Sequence, residues 1–292
     1  MLIMTAAILW GTSGTVQTLA PAAATPPVFG TIRILLSGII LSIMALLRGE
    51  FSDWRFFLRP VFLLTGLCQA SYQVTYFSAI SYTGVAVGTM VAIGSCPIFT
   101  GVLGVIFDKE KLSRPWFFAT VIAIGGLGFL MLGTQQSVQL DGRGILLALI
   151  SGFSYSLFTV IVRRMIISRP SDGIIGFSFL IGSIYLIPVL ILLPVSWVFS
   201  TSRGILIMVY LGFISTALAY MLYGRGLKYV KVSTVGTLTL GEPLTAALLG
   251  IFFVGEQLTV PAGLGIASIF LSQIVLVFQG RKDEDRILRI PG

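Results

Sequence analysis

The chain has no histidine among its 292 residues. That absence excludes a Ser–His hydrolytic site, a His-ligated metal centre and a His proton relay. Cysteine is nearly absent too. Cys68 and Cys96 both fall inside apolar runs, where they read as free apolar thiols that say nothing of redox compartment. There is no Gly-Lys-Ser/Thr segment of a phosphate-binding loop, so ATP-driven pumping would need a partner chain. The expectation is a non-enzyme without cofactor or metal. Charge is also scarce, at 10% of residues against about 25% in a soluble domain. With 56% hydrophobic residues and a mean hydropathy of +0.99, the outer surface must be covered mostly by lipid.

A membrane helix takes roughly 20 apolar residues. On that measure the sequence divides into ten spans, at 2–20, 27–48, 57–80, 83–107, 114–133, 143–164, 173–197, 203–224, 231–254 and 259–280. The N-terminus lacks a basic stretch before its apolar run, and the first span is expected to be retained. Positive charge alternates between the loops. Arg48, Arg55 and Arg59 follow span 2; Lys109, Lys111 and Arg114 follow span 4; Arg163, Arg164 and Arg169 follow span 6. Arg225, Lys228 and Lys231 follow span 8, and Arg281, Lys282, Arg286 and Arg289 follow span 10. The other side holds only Arg143 and Arg203, with Arg33 inside span 2. The positive-inside rule then places both termini in the cytoplasm. The net charge of +8 reads as a topology and lipid-headgroup signal, with no nucleic-acid partner implied.

The two halves resemble each other. Pro97, Gly104, Glu110 and Leu112 match Pro243, Gly250, Glu256 and Leu258 at an offset of 146, as Gly30 and Ser37 match Gly176 and Ser183; Tyr82 and Tyr229 match at 147. The alternative is chance likeness between apolar helices. A repeat of five spans must invert its second copy, which is the architecture of many secondary transporters. The expected domains are 1–136 (spans 1–5), 137–280 (spans 6–10) and a basic cytoplasmic tail at 281–292.

These features resemble the drug/metabolite transporter superfamily, and within it the EamA-type ten-span exporters. The likeness is carried by Leu9-Trp10-Gly11, by Arg33-Ile-Leu-Leu-Ser-Gly38, by Ala79-Ile-Ser-Tyr82-Thr, and by Glu242-Pro243 through Gly255-Glu256-Gln-Leu258. It covers nearly the whole chain, and its motifs specify the superfamily better than the substrate. One departure is Phe107-Asp-Lys-Glu110, where the family usually has glycine before the glutamate. The aromatic amino-acid exporters are the most similar group. The resemblance implies a bacterial inner-membrane exporter of small metabolites, amino acids including aromatic ones.

The candidate site comes from polar side chains that lipid would not tolerate. Gln69, Tyr72, Gln73 and Tyr76 share one face of span 3 at i, i+3, i+4 and i+7. Trp10, Ser13 and Gln17 in span 1, Ser154 and Tyr155 in span 6 and Thr216, Tyr220 and Tyr223 in span 8 extend the same chemistry. Together they suggest a cavity for a solute with a polar head and an apolar or aromatic group. The plainer alternative is helix–helix hydrogen bonding. For Tyr223, near the cytoplasmic end of its span, the alternative is an interfacial belt residue. Glu242 is the one acid near the bilayer midplane. It is a candidate proton-coupling group or ammonium receptor, or a structural donor to a carbonyl freed by Pro243. Arg33 either snorkels to the outer headgroups, clamps a carboxylate, or pairs with Glu242. Pro97 and Pro243 are candidate hinges, and Glu110 and Glu256 candidate gate ends or helix caps. Small-residue clusters such as Gly84-x-x-x-Gly88 and Gly125-Gly126-x-Gly128 read as packing, with a monomer or weak homodimer expected.

Within the transporter class, the alternative cargo is a nucleobase, a sugar derivative or a cationic drug. An integral membrane enzyme or flippase for lipids predicts an interfacial acidic pair or metal cluster, which the sequence lacks. A channel predicts a continuous polar pore, whereas the polar stripes cluster mid-bundle.

Overall fold

A computed structural model describes residues 1–21, 24–133 and 140–288, with side chains of the last helix described through 279. The expected boundary at 136–137 and the basic side chains of the 281–292 tail lie outside the described residues. Every regular element described is helical: α1 (Leu2–Thr18), α2 (Pro26–Leu47), α3 (Trp54–Phe57), α4 (Val61–Asp108), α5 (Arg114–Leu132), α6 (Gly142–Ile166), α7 (Ser171–Tyr185), α8 (Ile187–Leu192) and α9 (Ser196–Ser200). They continue with α10 (Ser202–Leu227), α11 (Val232–Val254) and α12 (Val260–Leu288). Among the described residues, seven helices (α2, α4, α5, α6, α10, α11 and α12) are long and apolar enough to cross a membrane.

Two expected spans prove to be one element. α4 runs for 48 residues, with no separate loop where spans 3 and 4 were expected to be joined, and its one non-helical residue is Gly84 at φ 78°, ψ 165°. Only glycine adopts that conformation cheaply. Straight helix would hold residues thirteen apart about 20 Å from each other. Yet the Tyr76 hydroxyl and Thr89 Oγ1 are 2.9 Å apart, across that separation in sequence. The helix therefore folds back on itself at Gly84. Expected span 7 is divided instead. α7 ends at Tyr185 and α8 begins with Ile187-Pro188, because proline cannot supply the helix N–H or tolerate the preceding carbonyl.

The halves interlock. α4 lies against α6 and α7, α2 against α7 and α10, α1 against α10 and α11, and α5 against α12. Glycines permit the closest approaches. A Cβ on Gly126 would stand 3.0 Å from the Gly265 carbonyl of α12, and one on Gly11 only 2.7 Å from the Glu242 carbonyl of α11.

The basic loops gather on one face. Asp172 at the start of α7 accepts from Arg48 after α2 and, at 3.3 Å, from Arg225 in α10. Asp108 at the end of α4 pairs with Arg163 of α6 at 2.8 Å and with Arg164 at 3.1 Å. Asp53 bonds Arg169 at 2.6 Å, and that guanidinium holds its carboxyl below the usual carboxylate range. Ser113, before α5, accepts from Gln279 near the end of α12. The opposite face has caps rather than bridges: Asp141 accepts the Arg143 and Gly144 N–H groups, and Thr201 that of Gly204.

The departure at Phe107-Asp-Lys-Glu110 keeps the turn at a cost. Lys109 has φ 52°, and is the one non-glycine residue with positive φ among those described. A left-handed conformation costs an L-residue roughly 1–2 kcal/mol. Lys109→Gly is therefore expected to stabilise the protein by about 1 kcal/mol, read as a rise in the thermal midpoint in detergent. An unchanged or lower midpoint would contradict it.

Candidate functional site

A cavity lies where the two halves meet, lined by Trp10, Arg33, Ile34, Gln69, Tyr72, Tyr155, Thr216, Tyr220 and Glu242. Its wall comes from six helices. α1 contributes Trp10, α2 Arg33 and Ile34, and the first limb of α4 Gln69 and Tyr72. α6 contributes Tyr155, α10 Thr216 and Tyr220, and α11 Glu242.

Local backbone sets several of these side chains. α10 widens to a π-helical stretch over Tyr210–Leu218, where Thr216 Oγ1 donates to the Leu211 carbonyl at 2.7 Å. Such wide turns re-aim side chains and are common at functional sites. α11 loosens at Thr239–Leu240 and restarts at Gly241, so Glu242 and Pro243 occupy a first helical turn. There proline is tolerated and a carboxylate is favoured by the helix dipole. Pro97 differs from its expected equivalent. It is buried inside α4 with helical backbone around it.

Aromatic rings close one side. The Trp10 ring lies 5.0 Å from Tyr220, 5.2 Å from Tyr223 and 6.5 Å from Tyr155, and Tyr155 lies 5.7 Å from Tyr72. Tyr223 is no belt residue. It is fully buried, and its hydroxyl is 2.8 Å from Thr159 Oγ1, because α10 turns that side chain inward at the Trp10 stack.

The polar groups of the cavity are not satisfied among themselves. Trp10 Nε1, Arg33 Nε and Gln69 Oε1 are buried without a hydrogen-bond partner among the described residues. Arg33 and Glu242 share the lining yet form no ion pair. Native structures pair nearly all buried polar atoms, with protein or with ordered water. Two donors, an amide acceptor and a carboxylate thus face one space.

The other expected residues sit nearby in different roles. Gln73 donates to the Gly30 carbonyl at 3.4 Å, Tyr76 bonds Thr89, and Ser154 donates to Ser71 Oγ at 3.1 Å. Ser13 is buried in α1 and Gln17 half-buried. Cys68 and Cys96 are free and buried. Thr216 lines the cavity one turn before Tyr220, in the span 8 stripe, and Ile34 lines it although no sequence signal marked it. The gate-end glutamates differ. Glu110 caps α11, accepting from Val232 N at 2.7 Å, Ser233 N at 3.0 Å and Ser233 Oγ at 2.7 Å. Trp116 Nε1 holds the same turn through the Ser233 carbonyl at 2.8 Å. Glu256 is exposed.

The EamA-like transporter family matches residues 1–132 and 142–278. An uncharacterized transporter of Bacillus subtilis, YwfM, is 39% identical over 97% of this chain and 95% of its own length. An uncharacterized inner membrane transporter of Salmonella typhimurium, YicL, is 26% identical over 96% and 95%. The threonine/homoserine exporter RhtA of Escherichia coli is 28% identical over 72% and 69%. A solved crystal structure shares the fold with a TM-score of 0.83 at 21% identity, covering 97% of this chain and 98% of that one. The chain belongs to the EamA-like transporter family, in the drug/metabolite transporter superfamily, and is a multi-pass membrane transporter rather than an enzyme.

Proposed function

We propose that this chain exports amino acids, aromatic ones among them, across the bacterial inner membrane as a secondary transporter. The observation that carries this reading is the placing of Arg33 and Glu242, opposite in charge and not paired with each other, in one partly aromatic cavity. Arg33 takes the substrate carboxylate, with geometry suited to a planar anion. Glu242 takes the ammonium or, in exchange, a proton. Trp10, Tyr72, Tyr155 and Tyr220 receive the side chain. Similarity to RhtA, a threonine/homoserine exporter, supports an amino-acid cargo.

Alternating access follows from ten crossings in two inverted five-helix halves, 1–136 and 137–280. The packing supports that division. Exchanging each expected span for its counterpart carries the contact of α4 with α6 onto that of α11 with α1, and leaves α2–α7 and α5–α12 in place. The gathering of basic loops on one face supports cytoplasmic termini. Pro97 and Pro243 serve as hinges in this scheme.

The test is uptake of labelled phenylalanine, threonine and methionine into liposomes containing the purified protein, with and without a pH gradient. Saturable uptake is expected, blocked by free amino acids and not by their N-acetyl or methyl-ester forms. Absence of saturable uptake for all three would remove the amino-acid assignment.

A further inference from the structure

Glu110 and Glu256 end matching turns that are in different states. In each turn the glutamate N–H donates to the carbonyl of a glycine six residues back, Gly104 or Gly250, at 3.1 Å. The residue before each glutamate is left-handed, Lys109 at φ 52° and Gly255 at φ 83°. Each carboxylate folds over its glycine, where a Cβ would strike it.

The likeness ends at the carboxylates. That of Glu110 is filled by the first N–H groups of α11, joining the first half of the chain to the second. That of Glu256 has no hydrogen bond or ion pair among the described residues and is exposed. The surroundings differ in the same sense. Val232, the first residue of α11, is fully buried, while Val85, the first residue after the Gly84 fold-back, is 55% exposed. Leu103 is buried against Val160 and Val232, while Leu249, its match at offset 146, is only half-buried. Here one carboxylate is engaged across the two halves and the other is not.

We propose that Glu110 and Glu256 are alternating latches, with Glu110 closed and Glu256 released in this structure. The inference rests on the alternating-access reading above. In the opposite state Glu256 takes the N–H groups of Val85 and Ala86, and Glu110 lets go of α11. A carboxylate on the free N–H groups of a helix start makes a strong, charge-assisted contact that closes or opens as a unit. Each latch therefore holds one mouth shut without obstructing the cavity.

The test uses protein in nanodiscs with Cys68 and Cys96 replaced by alanine, carrying either Leu103→Cys or Leu249→Cys and a hydrophilic maleimide as probe. Glu110→Ala is expected to speed labelling at 103 by about tenfold, in line with the loss of hydrogen bonds to a charged group, and to slow it at 249. Glu256→Ala is expected to shift the two rates in the opposite senses. Because Glu256 is exposed, its variant remains informative even if Glu110→Ala fails to fold. Shifts in the same direction for the two variants would overturn the latch. Opposite shifts on adding phenylalanine to the parent, with none in either variant, would overturn the latch and leave alternating access standing. Rates that do not move under any condition would overturn both.

Discussion

Arg33→Gln and Glu242→Gln should each weaken amino-acid binding by at least about 30-fold, the lower end of what truncating one member of a buried charge pair costs. The expectation comes from where the two charges sit. Both line one cavity, and Arg33 Nε is buried there without a hydrogen-bond partner among the described residues. A bound zwitterion would satisfy both charges at once. Removing either leaves its counterpart on the substrate desolvated and unpaired. The two losses can be told apart. An amine without a carboxylate, a weak ligand of the parent, should lose no further affinity in Arg33→Gln, and an N-acetyl amino acid none in Glu242→Gln. Titration calorimetry in detergent reads all four combinations. If Glu242 also carries the coupled proton, Glu242→Gln will keep counterflow but lose its stimulation by a pH gradient. Unchanged affinity in both variants would show that neither charge meets the substrate.

Asp172→Ala is expected to be the most destabilising single change on the basic face, at about 3 kcal/mol. Asp172 is 2% exposed. It stands in the first turn of α7, a favourable position for an anion. It accepts from Arg48, Arg225 and Ser171 Oγ, and so ties α2, α7 and α10 together. The two arginines are nearly half exposed, so water takes up part of their charge when the partner goes, which holds the cost to the low end of the range for broken buried pairs. Thermal unfolding in detergent should show a clear fall in midpoint. Asp53→Ala, in a pair open to solvent, should leave the midpoint unchanged. Equal effects would mean that the buried pair is not what holds this face together.

Much of this was legible in the sequence because hydropathy and loop charge are one-dimensional signals. The apolar runs mark helices, and the clusters Arg48–Arg59, Lys109–Arg114, Arg163–Arg169 and Arg225–Lys231 do meet on one face. The fold-back at Gly84 was not legible as a single helix, because chain reversal there needs one unusual backbone conformation rather than a polar loop. The division after Tyr185 was signalled by Pro188 but hidden by the apolar residues around it. At the cavity, helical spacing grouped Gln69 with Tyr72, and both line its wall. It did not separate them from Gln73 and Tyr76, whose partners, Gly30 and Thr89, lie on another helix and on the returning limb of the same one. Spacing says which face a residue shares. Only the packing of the other helices says whether that face meets a cavity or a neighbour. The belt alternative for Tyr223 failed for the same reason, since α10 carries π-helical backbone before it and a tryptophan from α1 against it.

The charge pair has a consequence for descent. At the offset of 146, Arg33 falls opposite Phe179 and Glu242 opposite Cys96, and both counterparts are buried and uncharged. On the proposed inverted repeat, an ancestor assembled as an antiparallel pair of identical copies would have carried each of these groups twice or not at all. A cavity with one cation and one anion therefore requires that the two copies diverge. Under the proposed function each half changes its own contribution, so selectivity for either end of an amino-acid cargo can evolve without disturbing recognition of the other.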